Sequence, residues 1–589
     1  MNLLDLAATG GQGALRTSTG IQVDLPWGQL NLASLELSAG WYELKSAAPV
    51  CLQFYEPSAF RLIELSIAPD TPAYIRLAGG IYQPRILCGI RPGHYPLQNL
   101  ILQKLSLPSF VRLLARRLLR DLRRKSSLKS IASRIKQVLK GGGTFGVQTI
   151  TNPLFVSGPL MRADQQCPHN ITSLSKLKIF VCLRDRSYLL PDSIGLEAQT
   201  YPHWHTNPDL PYDIQLTLDR EQNLQPDALA LIANHFEHHP AMDILITDIW
   251  LNGAATTRVA FDPLLYSEAL PAPYAQRRNV ETHIPWTEQQ SRYGILSIPI
   301  ATSVVDEAPP KPIHIPIKNA LASIIIPTRD RADLLHSCLD GLFENTSWPH
   351  EVIIIDNGSV EPETHDLFKT FLSKGGRVIQ SNTPFNFAAL CNLGATEARG
   401  KYLVFMNNDI ILTHPDWLGQ MIALASLPDI GAVGAKLIYP DGRLQHGGVA
   451  LGLTQICGHM WRNLPQDGQT KLPSLMRNSL RTAITGALMC IDREKFDSID
   501  GFDETAFPVT LNDIDLCLRL RAKGWFSAFA AHAIAVHLEK ESRGDDTNPV
   551  KVARRLKEMQ NFQERWQSPL DDSWLPMAYS RSSESLSFR

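Results

Sequence analysis

The stretch Ser323-Ile324-Ile325-Ile326-Pro327-Thr328-Arg329-Asp330-Arg331 decides the fold. A continuous β-branched run closed by a polar turn reads as a strand buried on both faces. Two more such runs follow: 352–355, ending in Asp356-Asn357-Gly358-Ser359, and 401–406, ending in Asn407-Asn408-Asp409. Amphipathic stretches at 333–343, 365–372 and 387–398 lie between them. This alternation predicts an α/β fold with a mostly parallel sheet and helices on both faces. In such sheets ligands sit beyond the carboxyl ends of the strands, where Asp330, Asp356 and Asp409 all fall.

Three acids at strand ends suit a nucleoside diphosphate with a hard cation. A carboxylate can accept from a base imide or a ribose hydroxyl, and another can hold Mg²⁺ or Mn²⁺ when phosphate oxygens complete the shell. One such Asp alone would more often cap the next helix; three convergent ones favour the ligand reading. Further on, Asn512-Asp513-Ile514-Asp515-Leu516-Cys517-Leu518-Arg519 opens a buried helix with its acids at the N-terminus, where the macrodipole favours anions. Asp513 is a candidate general base for an acceptor hydroxyl, and Asp515 a helix-start charge or a lining residue. His537 ends another apolar strand and becomes a candidate metal ligand. Arg443, Gln445, His446, Gly447, Gly448, Gly458 and His459 read as a hairpin, with a donor-sugar pocket as the alternative. Thr485-Gly486-Ala487 either lines an acceptor cleft or packs closely.

Together PTRDR, IDNGS, PFNFAALCN, NND, LIYPDGRLQHGG, TGALM, GFDE, NDIDLCLRL and VHLEKESRG resemble, in order and spacing, the inverting family 2 glycosyltransferases of GT-A fold. The nearest group is the bacterial rhamnosyltransferase and O-antigen type, and the resemblance covers about 320–567. It implies transfer of a sugar from a nucleotide-sugar donor to a saccharide or lipid-linked acceptor, in cell-surface polysaccharide or O-antigen synthesis. It implies donor-nucleotide contacts from Pro327, Thr328, Arg329, Asp330, Asp356, Asn386 and Asn408. It further implies a divalent cation, Mn²⁺ or Mg²⁺, on Asp409 and His537, with Asp513 as the base. Gly486, Asp515 and His446 fall to the sugar and acceptor pocket. Two departures stand out: Asn407 opens the metal motif in place of Asp, and Asn512 opens the base motif in place of Glu. A sugar nucleotidyltransferase is the less favoured enzyme, because Pro327-Thr328-Arg329-Asp330 lacks a glycine-rich phosphate loop. A non-catalytic nucleotide-sugar-binding scaffold is the other alternative.

Outward from this domain (318–567), the chain of 589 residues has room for about three cores. Residues 1–105 alternate apolar and polar positions, which predicts a β-rich domain. Residues 106–143 form a linker in which 111–140 carries eleven basic residues against the single acid Asp121. Its leucines recur at helical spacing, so it reads as a basic amphipathic helix, either solvated or docked on an anionic membrane. Residues 170–305 look like a degenerate copy of the catalytic domain, as found in some members of the family. Arg184-Asp185-Arg186 matches Arg329-Asp330-Arg331, and DILITDIW with Asp248 matches, by its acid, the strand that ends in Asp409. A Pro-rich segment separates the copies, and 568–589 is a tail. Net charge is −1, which argues against a nucleic-acid partner. The nine scattered cysteines contain no CxxC pair and read as reduced thiols. With no evident signal peptide or membrane span, the expectation is a cytoplasmic protein, peripheral at the inner face of the membrane through 111–140.

Overall fold

The computed structural model describes residues 1–106, 175–184, 195–303, 320–539, 548–566 and 572–586, with short breaks inside several spans. The basic stretch 111–140, Asp185 and Arg186 of the first copy, the Pro-rich linker and most of the loop after His537 lie outside the described residues.

Residues 1–106 are β-rich, as their period-two patterning predicts. Short antiparallel strands form three sheets among the described residues. Along Gly40–Ser46 the inward positions Tyr42, Leu44 and Ser46 are buried while Lys45 faces out.

The C-terminal domain opens with β1 (Ala322–Thr328), α1 (Ala332–Glu344), β2 (His350–Asp356), α2 (Pro362–Ser373), β3 (Arg377–Gln380), α3 (Phe387–Glu397) and β4 (Tyr402–Met406). It continues with β5 (Ile410–Leu412), α4 (Trp417–Ala425), β6 (Ile430–Ile438) and β7 (Leu444–His446). A small hairpin, β8 (Val449–Leu451) with β9 (Cys457–His459), precedes β10 (Ser479–Arg481) and β11 (Leu488–Asp492). The domain closes with α5 (Asn512–Ala522), β12 (Phe526–His537) and α6 (Pro549–Trp566). The sheet runs β3-β2-β1-β4-β11-β6-β12-β5, with β7 beside β6 and β10 beside β12. Its first four strands are parallel; β11 is antiparallel to both neighbours, and β6 and β12 are parallel again.

The continuous apolar runs are explained by burial on two sides. Ile324, Ile326, Ile354, Val404 and Met406 pack with Leu335, Leu339, Phe371 and Leu418 from α1, α2 and α4. The alternate residues Ile325, Ile353, Ile355, Leu403 and Phe405 pack with Leu390, Cys391, Leu516 and Phe562 from α3, α5 and α6. Each fully buried aliphatic side chain contributes about 1.5–3 kcal/mol. Gly394 lets α3 approach β1: a Cβ there would stand 2.3 Å from Ile325 Cγ2. The segment 572–586 also packs on this domain, with Trp574, Leu575 and Tyr579 buried and the Asp572 carboxylate accepting the Leu451 amide at 2.8 Å.

Residues 179–303 form a second sheet with the path Trp204–His205, Ile179–Leu183, Ile214–Leu218, Tyr274–Arg277, Ile244–Leu251, Tyr293–Ser303, Asn223–Leu224. Each neighbouring pair has the same relative direction as its counterpart in β2-β1-β4-β11-β6-β12-β5. The chain order along the two paths is also the same. This corrects the alignment of Asp248. Asp248 lies inside Ile244–Leu251, the counterpart of β6, not at the end of the counterpart of β4. That counterpart is Ile214–Leu218, followed by Asp219-Arg220-Glu221, and Asp219 pairs with Arg184 at 2.7 Å.

Candidate active site

The carboxyl ends of β1, β2 and β4 are tied together at Thr328. Its carbonyl accepts the Asn357 amide at 2.9 Å, and its hydroxyl accepts from Asn408 Nδ2 at 2.9 Å. Pro327 sits one residue earlier in β1, opposite Ile355. Asp356 is buried at the end of β2, and its Oδ1 accepts the Ser359 amide at 2.9 Å and hydroxyl at 2.5 Å. Its Oδ2 is buried with no hydrogen-bond partner among the described residues. An unmet buried acceptor costs about 1–3 kcal/mol, a cost that a ligand N–H would remove.

Other residues expected at the donor nucleotide have internal partners. Asp330 takes φ 53°, and its Oδ1 accepts the Val360 and Glu361 amides at 2.7 and 2.9 Å, fastening the turn before α2. Arg329 beside it is exposed. Asn386 caps α3, accepting the Ala389 amide at 3.0 Å while its Nδ2 donates to the Glu504 carbonyl at 2.9 Å.

Asp409 and His537 meet because β5 pairs antiparallel with β12, placing Ile410 opposite His537. Asp409 Oδ1 lies 3.1 Å from His537 Nε2, and both residues are buried. Behind them, His537 Nδ1 is 2.7 Å from Gln445 Oε1, and Gln445 Nε2 donates to Glu539 at 3.1 Å. Burial alone would raise the Glu539 carboxyl; hydrogen bonds and charge from Arg462, with Tyr439 and Gln445, outweigh it and hold the pKa at about 2. Sequence reasoning missed Tyr439, Arg462 and Glu539. Tyr439 and Glu539 lay within LIYPDGRLQHGG and VHLEKES, and Arg462 in neither, so no local pattern joins the three.

Among the described residues no three His, Cys, Asp or Glu side chains converge as a ready-made cation site. The Asp409–His537 pair nevertheless fits a cation that draws its remaining ligands from a diphosphate. Adjacent corners of an octahedral shell with bonds of about 2.1 Å stand about 3.0 Å apart, close to the 3.1 Å observed between this oxygen and nitrogen. The carboxylate suits a hard cation such as Mg²⁺ or Mn²⁺, and the imidazole a first-row transition metal.

Asp513 stands at the start of α5, where Leu511 turns the chain with φ 63°. Its Oδ2 accepts the Gly486 amide at 2.8 Å. The next residue, Ala487, accepts the Asn407 amide at 2.9 Å through its carbonyl. Asp513 and the Asn407–Asp409 turn therefore share one edge of the sheet.

The structure corrects two pocket residues. Asp515 is fully buried, and Arg519, Arg565 and Trp566 engage its two oxygens at 2.7, 2.9 and 3.0 Å. Nothing remains of it for an acceptor. His446 is likewise fully buried, with Nδ1 2.9 Å from His459 Nδ1 and Nε2 3.5 Å from the Thr485 amide. Burial, reinforced by His459, pushes its pKa well below the ordinary histidine value. It stands behind the site instead of lining it.

Residues 323–478 match the family model described as Glycosyl transferase family 2. An uncharacterized protein of Sinorhizobium fredii is 36% identical over 303 residues, 50% of this chain and 32% of that protein. An O-antigen biosynthesis protein of Myxococcus xanthus is 38% identical over 232 residues, 38% of this chain and 18% of that protein. The chain thus spans a third or less of these two relatives' lengths. An N-acetylglucosaminyl-diphospho-decaprenol L-rhamnosyltransferase of Mycobacterium tuberculosis is 24% identical over 218 residues, 34% of this chain and 70% of that protein. Among solved structures, a mannosyltransferase of Pyrobaculum calidifontis in complex with GDP-Man and Mn²⁺ is 16% identical with a TM-score of 0.32, covering 43% of this chain and 66% of that one.

Proposed function

We propose that this chain, whose residues 323–478 carry a glycosyl transferase family 2 domain, transfers a sugar with inversion from a nucleotide-sugar donor to a hydroxyl of a saccharide or lipid-linked acceptor. The observation that carries the reading is the shared edge: the Gly486-held carboxylate of Asp513 lies one strand contact away from the turn bearing Asp409, which meets His537 at the end of β12.

In this reading Asp356 Oδ2 receives an N–H of the donor's base, and the turn held by Thr328 and Asn408 carries its phosphates. Asp513 takes the proton of the acceptor hydroxyl as that oxygen attacks the anomeric carbon. The bond from that carbon to the diphosphate oxygen breaks on the opposite face, so configuration inverts. A divalent cation held by Asp409 and His537 would supply positive charge against the departing diphosphate.

Asp513→Asn tests it. We expect donor binding to survive, measured with a panel of UDP-, GDP- and dTDP-sugars, while transfer falls about 10²–10⁴-fold. Near-normal turnover would sink the assignment of the base. A parent chain that binds a donor of the panel but transfers no sugar would favour the scaffold reading.

For the remaining chain, the reading is a catalytic domain preceded by a second, non-catalytic copy of the same sheet. The matching strand order supports this, as does Arg184 paired with Asp219 where the catalytic copy has its phosphate-side turn. The scattered cysteines read as reduced thiols support a cytoplasmic location, and the charge of 111–140 a peripheral contact with the membrane. Among the described residues no helix is long and apolar enough to cross a membrane. Sedimentation with anionic and neutral vesicles tests the peripheral contact.

A further inference from the structure

The residues behind His537 form one continuous hydrogen-bonded line, and its chemistry dictates which ring nitrogen carries a proton. Arg462 Nη2 lies 2.7 Å from both oxygens of Glu539, and the Tyr439 hydroxyl donates to Glu539 Oε2 at 2.9 Å. A carboxylate held this way against a guanidinium accepts hydrogen bonds and donates none. Gln445 Nε2 sits 3.1 Å from the same Oε2. The amide NH₂ must therefore face Glu539, because the flipped amide would set oxygen against oxygen. Its carbonyl oxygen then faces His537 Nδ1 at 2.7 Å, and an oxygen acceptor there requires the proton on Nδ1. On the neutral ring this leaves Nε2 as a lone pair, 3.1 Å from Asp409 Oδ1. Two acceptors at that distance repel each other unless a cation, a proton or a metal ion, is shared between them.

We propose that Gln445 and Glu539 are positioning residues that lock His537 in the Nδ1–H tautomer and so present Nε2, beside Asp409, as the second protein ligand of a divalent cation. The inference rests on the cation site proposed above and adds the residues that orient it. Metal-binding histidines usually donate their other ring N–H to an outer acceptor, and losing that partner weakens metal binding about 10–100-fold. The line is anchored in three separate parts of the chain. Gln445 comes from β7 and Glu539 from just beyond the end of β12, while Arg462 is held from its other side by Glu584 at 3.2 Å. The C-terminal segment thereby reaches the candidate site through two ion pairs and one amide.

Two measurements on the full chain test this. The first reads the imidazole nitrogens of ¹⁵N-histidine-labelled protein by NMR, with His537 assigned by a His537→Gln variant. The second titrates Mn²⁺ alone, followed by the loss of the free-ion EPR signal. The parent should show the Nδ1–H pattern, and Gln445→Leu should lose that pattern and bind Mn²⁺ about 10–100-fold more weakly. The double variant Gln445→Glu with Glu539→Gln, which still offers His537 an oxygen acceptor, should recover both. That recovery distinguishes positioning from general damage to the fold. Parent-like nitrogens and Mn²⁺ affinity in Gln445→Leu would overturn the proposal. A parent with the Nδ1–H pattern that takes up no Mn²⁺ would instead overturn the cation-site reading, and with it the purpose assigned to the lock.

Discussion

The backbone amide of Gly486 donates to Asp513 Oδ2 at 2.8 Å, so the candidate base is aimed by a main-chain group from a different element. A Cβ at Gly486 would stand 3.4 Å from Asp513 Cβ, an ordinary contact. Gly486→Ala should therefore keep transfer within a few-fold of the parent. Gly486→Val adds two methyl groups on the Asp513 side and should push the carboxylate aside. Misplacing a reacting group by about 1 Å can cost up to about 10²-fold in rate. We expect Gly486→Val to lose at least tenfold in kcat with little change in donor affinity. Equal kinetics for the two variants would mean that this hydrogen bond does not position the base.

Asp515 is the buried hub of an ion-pair cluster with Arg519 and Arg565. Removing one partner of a buried pair leaves uncompensated charge, at about 3–5 kcal/mol. Asp515→Ala should lower the denaturant-derived unfolding free energy by at most that order, since it takes the carboxylate from Arg519, Arg565 and the Trp566 indole while Arg565 keeps Asp503 and Arg519 keeps the Ile499 and Gly501 carbonyls. A loss below about 1 kcal/mol, the scale of an exposed pair, would contradict the assignment.

His235, buried in the first α/β copy, has its pKa pushed down to about 3, chiefly by burial and then by His239 and His238. Because the folded-state pKa is depressed below the ordinary 6.5, the unfolded chain takes up a proton that the folded chain excludes. Stability therefore falls as pH drops from about 6.5 toward about 3, by at most about 1.4 kcal/mol per pH unit from this group, and is level above that window. Urea unfolding across pH 4–7 should show a smaller acid loss for His235→Gln than for the parent. Parallel pH profiles would show that His235 is protonated without penalty.

Much of the C-terminal fold is legible locally. The runs at Ile324–Ile326 and Val352–Ile355 are apolar at every position because helices cover both faces of the sheet, and a local run suffices to report that. Asp409 and Asp513 were equally legible, since strand ends and helix starts are local events. Asp515 was misjudged for a physical reason: a carboxylate at a helix start looks the same in sequence whether it faces a cleft or Arg565, which lies fifty residues on. Asp248 was misplaced because an acid in an apolar strand resembles an acid after one, and only sheet order separates β6 from β4.

By itself, the sequence determined the strands, the helices that cover them, and which acids fall at the carboxyl edge. These follow from side-chain periodicity and turn chemistry within a few residues. Only the tertiary structure decided which of those polar groups are left to meet a ligand. Among the described residues Asp356 keeps an oxygen without a hydrogen-bond partner, while Asp515 and His446 have theirs taken up inside. His537 meets Asp409 and Gln445 through pairings distant in the chain, the second 92 residues apart. Hydrogen-bond satisfaction is settled by whichever partner the fold brings within about 3 Å, and chain separation carries no record of it.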